Sequence, residues 1–524
     1  MKLLVLCSIV CLCGVRTLAQ NPRPNIIYIM SDDHDDDAIS IYRALNMPKG
    51  SMFIQTPHID KMAREGALFK NAFVSNSICS PVRATVLTGK FSHMNGVKDN
   101  ITPFDTSQYT FIKQMRASGY QTALIGKWHL HIRPSGFDYF SILPGQGLYY
   151  SPQFLNAQDT VTLKDGYVTE EITRQTLAWL DKRDRQKPFV LLMHHKAPHR
   201  NWLPTLKNIE VFSKVKFQEP VTLFADTTGK GTAFRHQQMS ILNDMDLCTD
   251  LKIDPSYLKD IPHLKVSEQD AKWYQNSMLQ IPEPSRSKIL EIYAERGKIL
   301  QTQRPAGKEL LSLKYQWYMQ DYMACVASVD ESVGKLLDYL EKNNMSENTI
   351  VVYTSDQGFY LGENGWFDKR FMYDVSMKTP LIFQWKGHIS QRVQASLVQN
   401  IDLAPTFLDL AELPLPEELQ GLSLKPVLLG KSKAVARKSL YYHYYEFPDP
   451  HHVYPHVGIR GSRYKLIYFY TLNEWEFYDL KKDPDEQMNQ AKSPRYEKKI
   501  ESMKKELSDL RKVYKDSEKA GELE

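Results

Sequence analysis

The chain has 524 residues, of which 42% are hydrophobic and 24% are charged, a composition that is typical of a globular protein and excludes a disordered or collagen-like chain. At roughly 150 residues per domain, the length fits either three domains or one large α/β core with an appendage. A formal net charge of +5 is too small for this length to indicate nucleic-acid binding.

Residues 1–19 have the features of a secretory signal peptide. Lys2 precedes an apolar run, and the segment ends with Thr17-Leu18-Ala19, which places a small residue at the cleavage site. The run is shorter than the roughly 20 residues that a membrane anchor needs, and no later stretch is apolar enough to span a bilayer. We therefore expect an exported protein without a membrane span, periplasmic if it is bacterial and otherwise secreted.

Three cysteines remain after removal of the signal peptide: Cys79, Cys248 and Cys325. Three cysteines are too few for a scaffold that is dense in disulfides. Because their number is odd, at least one thiol has no internal partner in an oxidising compartment. Cys248 and Cys325 either pair or stay buried, so Cys79 is the thiol that requires an explanation.

Short β-rich apolar runs alternate with helical segments along most of the chain. The runs cover residues 25–30, 122–125, 189–193, 350–354 and 381–385, and apolar residues recur at helical spacing in residues 322–340. This alternation predicts an α/β fold with a large, mostly parallel sheet covered by helices on both faces. Ligand sites in such sheets lie where the carboxyl ends of the strands meet loops.

Two regions depart from this pattern. Residues 206–309 are polar, contain several prolines and show no clear strand, which favours a helical insertion that borders the site. Beyond residue 430, strand patterns and a final amphipathic helix predict a small antiparallel sheet with a helix. The predicted domains are a catalytic domain at 20–430, which includes the insertion, and a C-terminal α+β subdomain at 431–524.

Acidic residues follow two of the predicted strands. Asp32 and Asp33 come after the first, and Asp356 and Gln357 come after a later one. Adjacent carboxylates repel one another unless a cation lies between them, so two such ends predict a site for one hard divalent ion. An all-protein set of oxygen ligands favours Ca²⁺ over Mg²⁺.

Cys79 precedes a predicted helix whose first turn contains Pro81. The free N–H groups and positive dipole at a helix N-terminus favour an anion, and Arg83 is one turn further along. A lone cysteine is otherwise most often a buried apolar residue.

Residues 79–89 (CSPVRATVLTG) resemble the signature of the type I, formylglycine-dependent sulfatases. Residues 119–129 (GYQTALIGKWH) resemble the second signature of that family, and the resemblance continues through residues 402–406 and 420–424. It implies an alkaline-phosphatase-like sandwich. It also implies that a formylglycine-generating maturation enzyme oxidises Cys79, and that Ca²⁺ is held by Asp32, Asp33, the modified Cys79, Asp356 and Gln357, where many members have Asn at the last position.

The resemblance further implies the catalytic roles. Arg83, Lys127 and Lys369 would neutralise the sulfate, His199 would protonate the leaving oxygen, and His129 would act as the base that expels sulfate from the formylglycine hydrate.

Residues 136–147, 194–202 and 456–467 are similar to those of bacterial N-acetylglucosamine-6-O-sulfatases. This similarity implies a sulfated glycan substrate, with the 6-O-sulfate of N-acetylglucosamine in heparan sulfate fragments or mucin O-glycans as the target. The polar residues expected to contact the substrate are His195, Lys196, Asp368, His456 and Arg460. The alternatives are a sulfatase for iduronate 2-O-sulfate, galactose 6-O-sulfate or an aryl sulfate, a formylglycine-dependent phosphodiesterase or phosphonate hydrolase, and a catalytically silent glycan-binding protein.

Overall fold

The computed structural model describes residues 23–46, 55–158, 160–163, 165–264 and 266–517, so the predicted signal peptide at 1–19 lies outside the described residues. Within these ranges the chain forms a ten-stranded mixed sheet, a four-stranded antiparallel sheet and a two-stranded ribbon. The large sheet has the strand order β11-β2-β10-β9-β1-β8-β4-β5-β6-β7, and its centre, β9-β1-β8-β4-β5, is parallel.

The strands are β1 Asn25–Ser31, β2 Ala67–Phe69, β3 Ala72–Phe73, β4 Gln121–Lys127, β5 Tyr139–Leu143, β6 Gln153–Leu155, β7 Thr160–Thr162, β8 Phe189–His194, β9 Thr349–Ser355, β10 Leu381–Gln384, β11 Arg392–Gln394, β12 Val398–Gln399, β13 Ser439–Tyr444, β14 His456–Gly461, β15 Tyr464–Phe469 and β16 Glu474–Asp479. The helices are α1 Ser40–Asn46, α2 Pro57–Arg64, α3 Cys79–Thr88, α4 Ser92–Asn95, α5 Phe111–Ala117, α6 Val168–Lys182, α7 Leu206–Phe212, α8 Thr232–His236, α9 Glu268–Leu279, α10 Ser285–Gln303, α11 Gly307–Lys342, α12 Asp374–Met377, α13 Leu403–Leu410, α14 Lys425–Leu428 and α15 Glu497–Val513. Short 3-10 turns connect several of them.

The central strands are apolar on both faces because helices cover both sides of the sheet. In β1, Ile27 and Ile29 join the core beneath α6 and α11, whereas Ile26, Tyr28 and Met30 join the core beneath α3, α5 and α13. Successive side chains of a strand point to opposite faces, so a continuous apolar run is what a doubly covered strand requires.

The four-stranded sheet β13-β14-β15-β16 packs against α15 through a third core. Ile459 and Leu466 of the sheet meet Ile500, Met503 and Leu507 of the helix. A short turn after Gly461 separates β14 from β15. The fold class predicted from the sequence, a large mostly parallel sheet flanked by helices with a smaller antiparallel sheet and helix, is confirmed.

Some elements differ from their predicted extent or were not predicted. β10 runs antiparallel to β9, and the strands β2, β6, β7 and β11 have only three residues each. Strands this short contain too little alternation to show a period in the sequence. The helix predicted at 322–340 begins further upstream, at Gly307, as α11, and the additional N-terminal turns bury residues such as Leu310, Tyr315 and Tyr318.

The described part of residues 206–309 contains helices and turns and no strand, and most of it packs outside α11. The division into a catalytic domain at 20–430, with its insertion at 206–309, and a C-terminal subdomain at 431–524 stays a prediction. Among the residues that the structure describes, none of the helices combines the length and hydropathy of a bilayer span.

Trp202 anchors the segment after β8 in the core. Its side chain is fully buried, and its ring lies 4.6 Å from that of Tyr318 in α11. Because a large cavity would replace the indole, we expect Trp202→Ala to lower the free energy of unfolding by about 3–5 kcal/mol. Denaturant unfolding of both proteins measures this difference, and a loss below about 1 kcal/mol would contradict the assigned packing.

Candidate active site

The carboxyl ends of the central strands bring the two acidic segments together. Ser31 at the end of β1 pairs with Ser355 at the end of β9, so Asp32 and Asp356 follow side by side. Because the two strands are parallel, their carboxyl ends lie at the same edge of the sheet, and the two aspartates that follow them are neighbours. Asp33 has φ 64°, a left-handed conformation that directs its side chain back toward this edge.

Three carboxylates form a compact buried group at this edge. Oxygen atoms of Asp32, Asp33 and Asp356 lie within 4.8 Å of one another, and all three side chains are fully buried. Burial, with the neighbouring Asp32, raises the pKa of Asp356 to about 7, and burial also raises the pKa of Asp33. Three carboxylates this close together form a set of oxygen ligands that could hold a metal ion.

Three basic side chains surround the carboxylates. Lys127, the last residue of β4, contacts Asp32, and Lys369 Nζ donates to both carboxylate oxygens of Asp33 at 2.7 and 2.8 Å. Arg83 donates to Asp356 at 2.8 Å. Although burial opposes it, Lys127 and Arg83 together hold the pKa of Asp32 well below its usual range. Three positive and three negative groups thus balance before any metal binds.

Cys79 lies at the centre of this arrangement, as the first residue of the fully buried helix α3. Its Sγ is 3.4 Å from Asp32 Oδ1, and Cys79, Asp32 and His199 together form a second set of atoms close enough to share an ion. Burial, with Asp32, raises the pKa of the thiol well above its ordinary value. The unmodified side chain is therefore a neutral thiol, which is a poor nucleophile.

Gln357 completes the oxygen set. Its Nε2 donates to Asp33 and lies 3.7 Å from Cys79 Sγ, whereas its buried Oε1 has no hydrogen-bond partner among the described atoms. A half-turn of the amide exchanges the two atoms and directs Oε1 toward the carboxylates. An orphaned buried oxygen beside three carboxylates fits a hard divalent cation, so the donor set agrees with Ca²⁺.

His129 lies against Ser80, the residue after Cys79, and His199 lies beside Cys79 and the carboxylates. His129 Nδ1 is 3.4 Å from Ser80 Oγ, and His199 Nε2 is 3.7 Å from Asp33 Oδ2. Burial and Lys127 lower the pKa of His129 to about 2 and that of His199 well below its usual value. Both imidazoles are therefore neutral when no substrate anion is present.

Gln146 was missed by the sequence analysis. Its Oε1 accepts from Lys127, and its Nε2 is 3.2 Å from His129 Nε2. Because Lys127 fixes the amide, only the Nε2 donor can face the imidazole, which makes His129 Nε2 the unprotonated atom. The sequence signal was its position between Gly145 and Gly147 within the similar segment 136–147, and that position does not reveal which side chains Gln146 contacts.

Lys196 also faces the cluster. Its ammonium lies 4.8 Å from the centre of the Tyr149 ring, and Tyr149 donates to the His199 carbonyl at 2.6 Å. Burial and the charge of Lys127 lower the pKa of Lys196 to about 8, so it carries a positive charge through most of the neutral range. The structure thus places Lys196 beside Lys127 and the carboxylate group, with its ammonium over the Tyr149 ring.

His195 has a different position. Its side chain is fully buried, its Nε2 is 3.2 Å from Ser332 Oγ in α11, and burial lowers its pKa to about 3. His194, on the other face of the strand end, lies 3.0 Å from the carbonyl of Lys127 at the end of β4. The contacts of His195 hold the sheet to α11 rather than meeting the carboxylate group.

His195→Ala therefore tests a structural role against a substrate contact. We expect it to lower the free energy of unfolding by about 1–3 kcal/mol, because Ser332 loses a partner and a cavity forms. We expect kcat/KM of the folded protein to change by less than about threefold, which is under 1 kcal/mol in transition-state binding. A large rise in KM without loss of stability would instead establish a substrate contact.

Asp368, His456 and Arg460 lie on the side of the small sheet. Asp368 precedes Lys369 and approaches His451 at 3.3 Å. His456 accepts from the Met372 amide at 3.0 Å, and Arg460 pairs with Asp374 at 2.7 Å. Only Asp368 adjoins the cluster. The other two join the small sheet to the large domain, so their proposed contact with substrate stays a prediction.

Comparison with known proteins agrees with this geometry. The sequence profile of the family described as Sulfatase matches residues 24–413, about three quarters of the chain. The chain belongs to the sulfatase family. A second profile, N-sulphoglucosamine sulphohydrolase, C-terminal, matches residues 362–513 of this sulfatase.

Several relatives have curated names. The sulfatase is 44% identical to an N-acetylglucosamine-6-O-sulfatase of Bacteroides thetaiotaomicron, over 95% of this chain and 88% of that protein. It is 25% identical to an N-acetylglucosamine-6-sulfatase of Capra hircus, over 80% of this chain and 66% of that one.

Solved structures are similar as well. One, a protein in complex with its substrate D-glucosamine-2-N,6-O-disulfate, superposes with a TM-score of 0.89 at 44% identity, covering 95% of this chain and 100% of that one. The phosphonate monoester hydrolase of Agrobacterium radiobacter has a TM-score of 0.65 at 19% identity, covering 94% of this chain and 96% of that one, and therefore shares the fold.

Proposed function

We propose that this sulfatase hydrolyses the 6-O-sulfate ester of N-acetylglucosamine in host glycans, such as heparan sulfate fragments or mucin O-glycans. The observation that carries the reaction class is the buried group of Asp32, Asp33 and Asp356 around Cys79, matched by three basic side chains. The substrate rests on similarity, since the relative named for this activity is 44% identical over 95% of the chain.

We further propose that Cys79 is converted to formylglycine by a maturation enzyme, and that Asp32, Asp33, Asp356, Gln357 and residue 79 hold Ca²⁺. The neutral thiol and the orphaned Gln357 oxygen support both parts of the proposal. When present, Ca²⁺ supplies a Lewis acid for the sulfate oxygens, and the hydrated aldehyde supplies a nucleophilic hydroxyl.

The basic residues bind and orient the sulfate. Arg83, Lys127 and Lys369 converge on the carboxylate group from three elements, and each is almost fully buried. In a water-excluded site, such charges need no reorganisation when negative charge moves from sulfur to the leaving oxygen. Their pairs with Asp32, Asp33 and Asp356 hold them in position before substrate arrives.

The two histidines move protons. His199 Nδ1 is 2.5 Å from the Arg200 carbonyl, which fixes the proton on Nδ1 and leaves Nε2 facing the site. The negative charge of a bound sulfate ester opposes the effect of Lys127 and favours a second proton on Nε2, which His199 then donates to the leaving oxygen. His129 Nε2, neutral and unprotonated, accepts the proton that must leave before sulfate is released.

Export is also part of the proposal. Residues 1–19 read as a signal peptide, which would deliver the enzyme to the periplasm of a bacterium or outside a eukaryotic cell, where sulfated glycans are encountered.

Desulfation of monosaccharide isomers tests the proposal. The substrates are N-acetylglucosamine-6-O-sulfate, its 3-O-sulfated isomer, N-sulfated glucosamine, galactose-6-O-sulfate and the phosphate ester N-acetylglucosamine-6-phosphate. The assays contain Ca²⁺, and the Cys79 peptide is checked by mass for the aldehyde. We expect activity confined to the 6-O-sulfated glucosamine. Activity on another isomer would contradict the substrate, and a preference for phosphate esters would contradict the reaction class.

A further inference from the structure

The segment of residues 446–454, between β13 and β14, contacts residues that adjoin the proposed active site on two sides. At one end, Glu446 accepts from the Asn100 amide at 3.1 Å, and the Asn100 side chain accepts at 3.0 Å from the amide of Ser80, the residue after the nucleophile position. At the other end, His451 Nε2 lies 3.3 Å from Asp368, the residue before the pocket lysine. The segment therefore joins two sides of the site.

This segment is held in one conformation. His451 and His452 have φ values of 70° and 50°, in the left-handed region that non-glycine residues rarely occupy. Gln238 fixes the first of them, because its amide donates to the His451 carbonyl at 2.8 Å and its carbonyl lies 2.6 Å from His451 Nδ1. The His452 amide donates to the Pro448 carbonyl at 3.0 Å. Such strain persists when surrounding contacts impose it, which is common at binding sites.

Three rings of this segment form one exposed group, which we call the aromatic rim: Phe447, His452 and Tyr454. The Phe447 ring is stacked with Tyr454 at 4.8 Å and tilted against His452 at 5.0 Å, and His452 meets Tyr454 edge-on at 5.3 Å. Phe447 is 41% exposed, and the other two rings are partly buried. Packing among the rings fixes their orientation and leaves aromatic surface in contact with solvent.

We propose that the aromatic rim binds the sugar residue adjacent to the sulfated glucosamine in the glycan chain. This inference rests on the proposed function, which places a sulfated sugar in the pocket. A glycan continuing from that sugar must leave the pocket across its rim. The face of a sugar ring carries weakly positive C–H groups, which match the negative face of an aromatic ring, and a rigid ring binds at a low entropic cost.

The test compares a short and a long substrate. The short one is N-acetylglucosamine-6-O-sulfate, and the long one is an oligosaccharide carrying the same sulfated sugar at its non-reducing end. We expect Phe447→Ala to lower the ratio of kcat/KM for the long substrate to that for the short one about five- to tenfold, mainly through KM. Phe447→Tyr keeps an aromatic face and should keep the ratio within about twofold of the wild type.

Tyr139→Ala is the matched control. Tyr139 is 38% exposed and begins β5, at the end of the sheet opposite to the catalytic residues. Tyr139→Ala should leave the ratio of kcat/KM for the long and the short substrate unchanged. An unchanged ratio in Phe447→Ala, or equal losses on both substrates, overturns the proposal.

If the wild type desulfates neither substrate, the proposed function is contradicted. The aromatic rim is then tested by measuring glycan binding. Calorimetric titration with the same oligosaccharide then compares the wild type with Phe447→Ala. Weaker binding by the variant supports the rim as a glycan site, and equal binding overturns it.

Discussion

Replacement of Cys79 by alanine is expected to lower kcat/KM for N-acetylglucosamine-6-O-sulfate by at least about 10⁴-fold. Alanine lacks the thiol that is converted to the aldehyde. The basic residues Arg83, Lys127 and Lys369 do not supply a replacement nucleophile at the position of residue 79. The side chain is buried beside Asp32 and small, so the fold should survive. Initial rates under saturating Ca²⁺, with circular dichroism of both proteins, provide the measurement.

Cys248→Ala is the control for this experiment. Cys248 is also a free, buried cysteine, and it lies in residues 206–309 rather than at the carboxylate group. The same chemical change there should cost some stability while the folded fraction keeps its rate. Residual activity of Cys79→Ala above about a hundredth of the wild-type activity would show that another group attacks the ester. It would contradict the assignment of residue 79 as the nucleophile.

The arrangement at the strand ends was accessible from the sequence for a physical reason. Apolar runs long enough to be covered on both faces belong to the centre of a parallel sheet, where every carboxyl end opens at one edge. Asp32 and Asp356 follow such runs directly. Parallel pairing of the two strands was therefore enough to predict that the two carboxylates lie close together. Sequence similarity then added Cys79, which no strand positions.

Side chains outside these strand ends were harder to place. His194 and His195 are neighbours in sequence, yet the first contacts Lys127 at the end of β4 and the second contacts α11, because successive side chains at a strand end point to opposite faces. Arg460 is in an antiparallel sheet whose packing partner cannot be read from alternation, and it stacks on Phe73 at 4.4 Å. Such contacts depend on tertiary structure that the local pattern does not encode.

Lys369→Met is expected to lower both the stability of the metal-free protein and the activity of the enzyme. Lys369 is the basic partner of Asp33, and both are buried, so its removal leaves a carboxylate with one amide donor from Gln357. Breaking a buried pair on one side costs about 3–5 kcal/mol, and the variant should also lose activity by about 10²–10³-fold because a charge near the sulfate is gone. Denaturant unfolding in a chelator, and kinetics in Ca²⁺, measure the two effects.

The pH dependence follows from the protonation of Asp33. Burial already raises its pKa, and loss of Lys369 should raise it further, so the folded variant keeps a proton where the unfolded chain has lost it. A state that binds more protons loses relative stability as pH rises, so the deficit of Lys369→Met should be smallest near the ordinary carboxyl pKa and grow toward neutral pH.

The double variant Lys369→Met with Asp33→Asn separates charge from packing. It removes the unpaired carboxylate together with its partner, so we expect it to recover most of the stability lost in the metal-free single variant and to lose the pH dependence. It should not recover activity. The positive charge near the sulfate is still missing, and Asp33→Asn also removes a proposed Ca²⁺ ligand. If the double variant were as unstable as the single one, the loss would come from packing of the lysine stem, and the pair would not be what holds the metal-free site together.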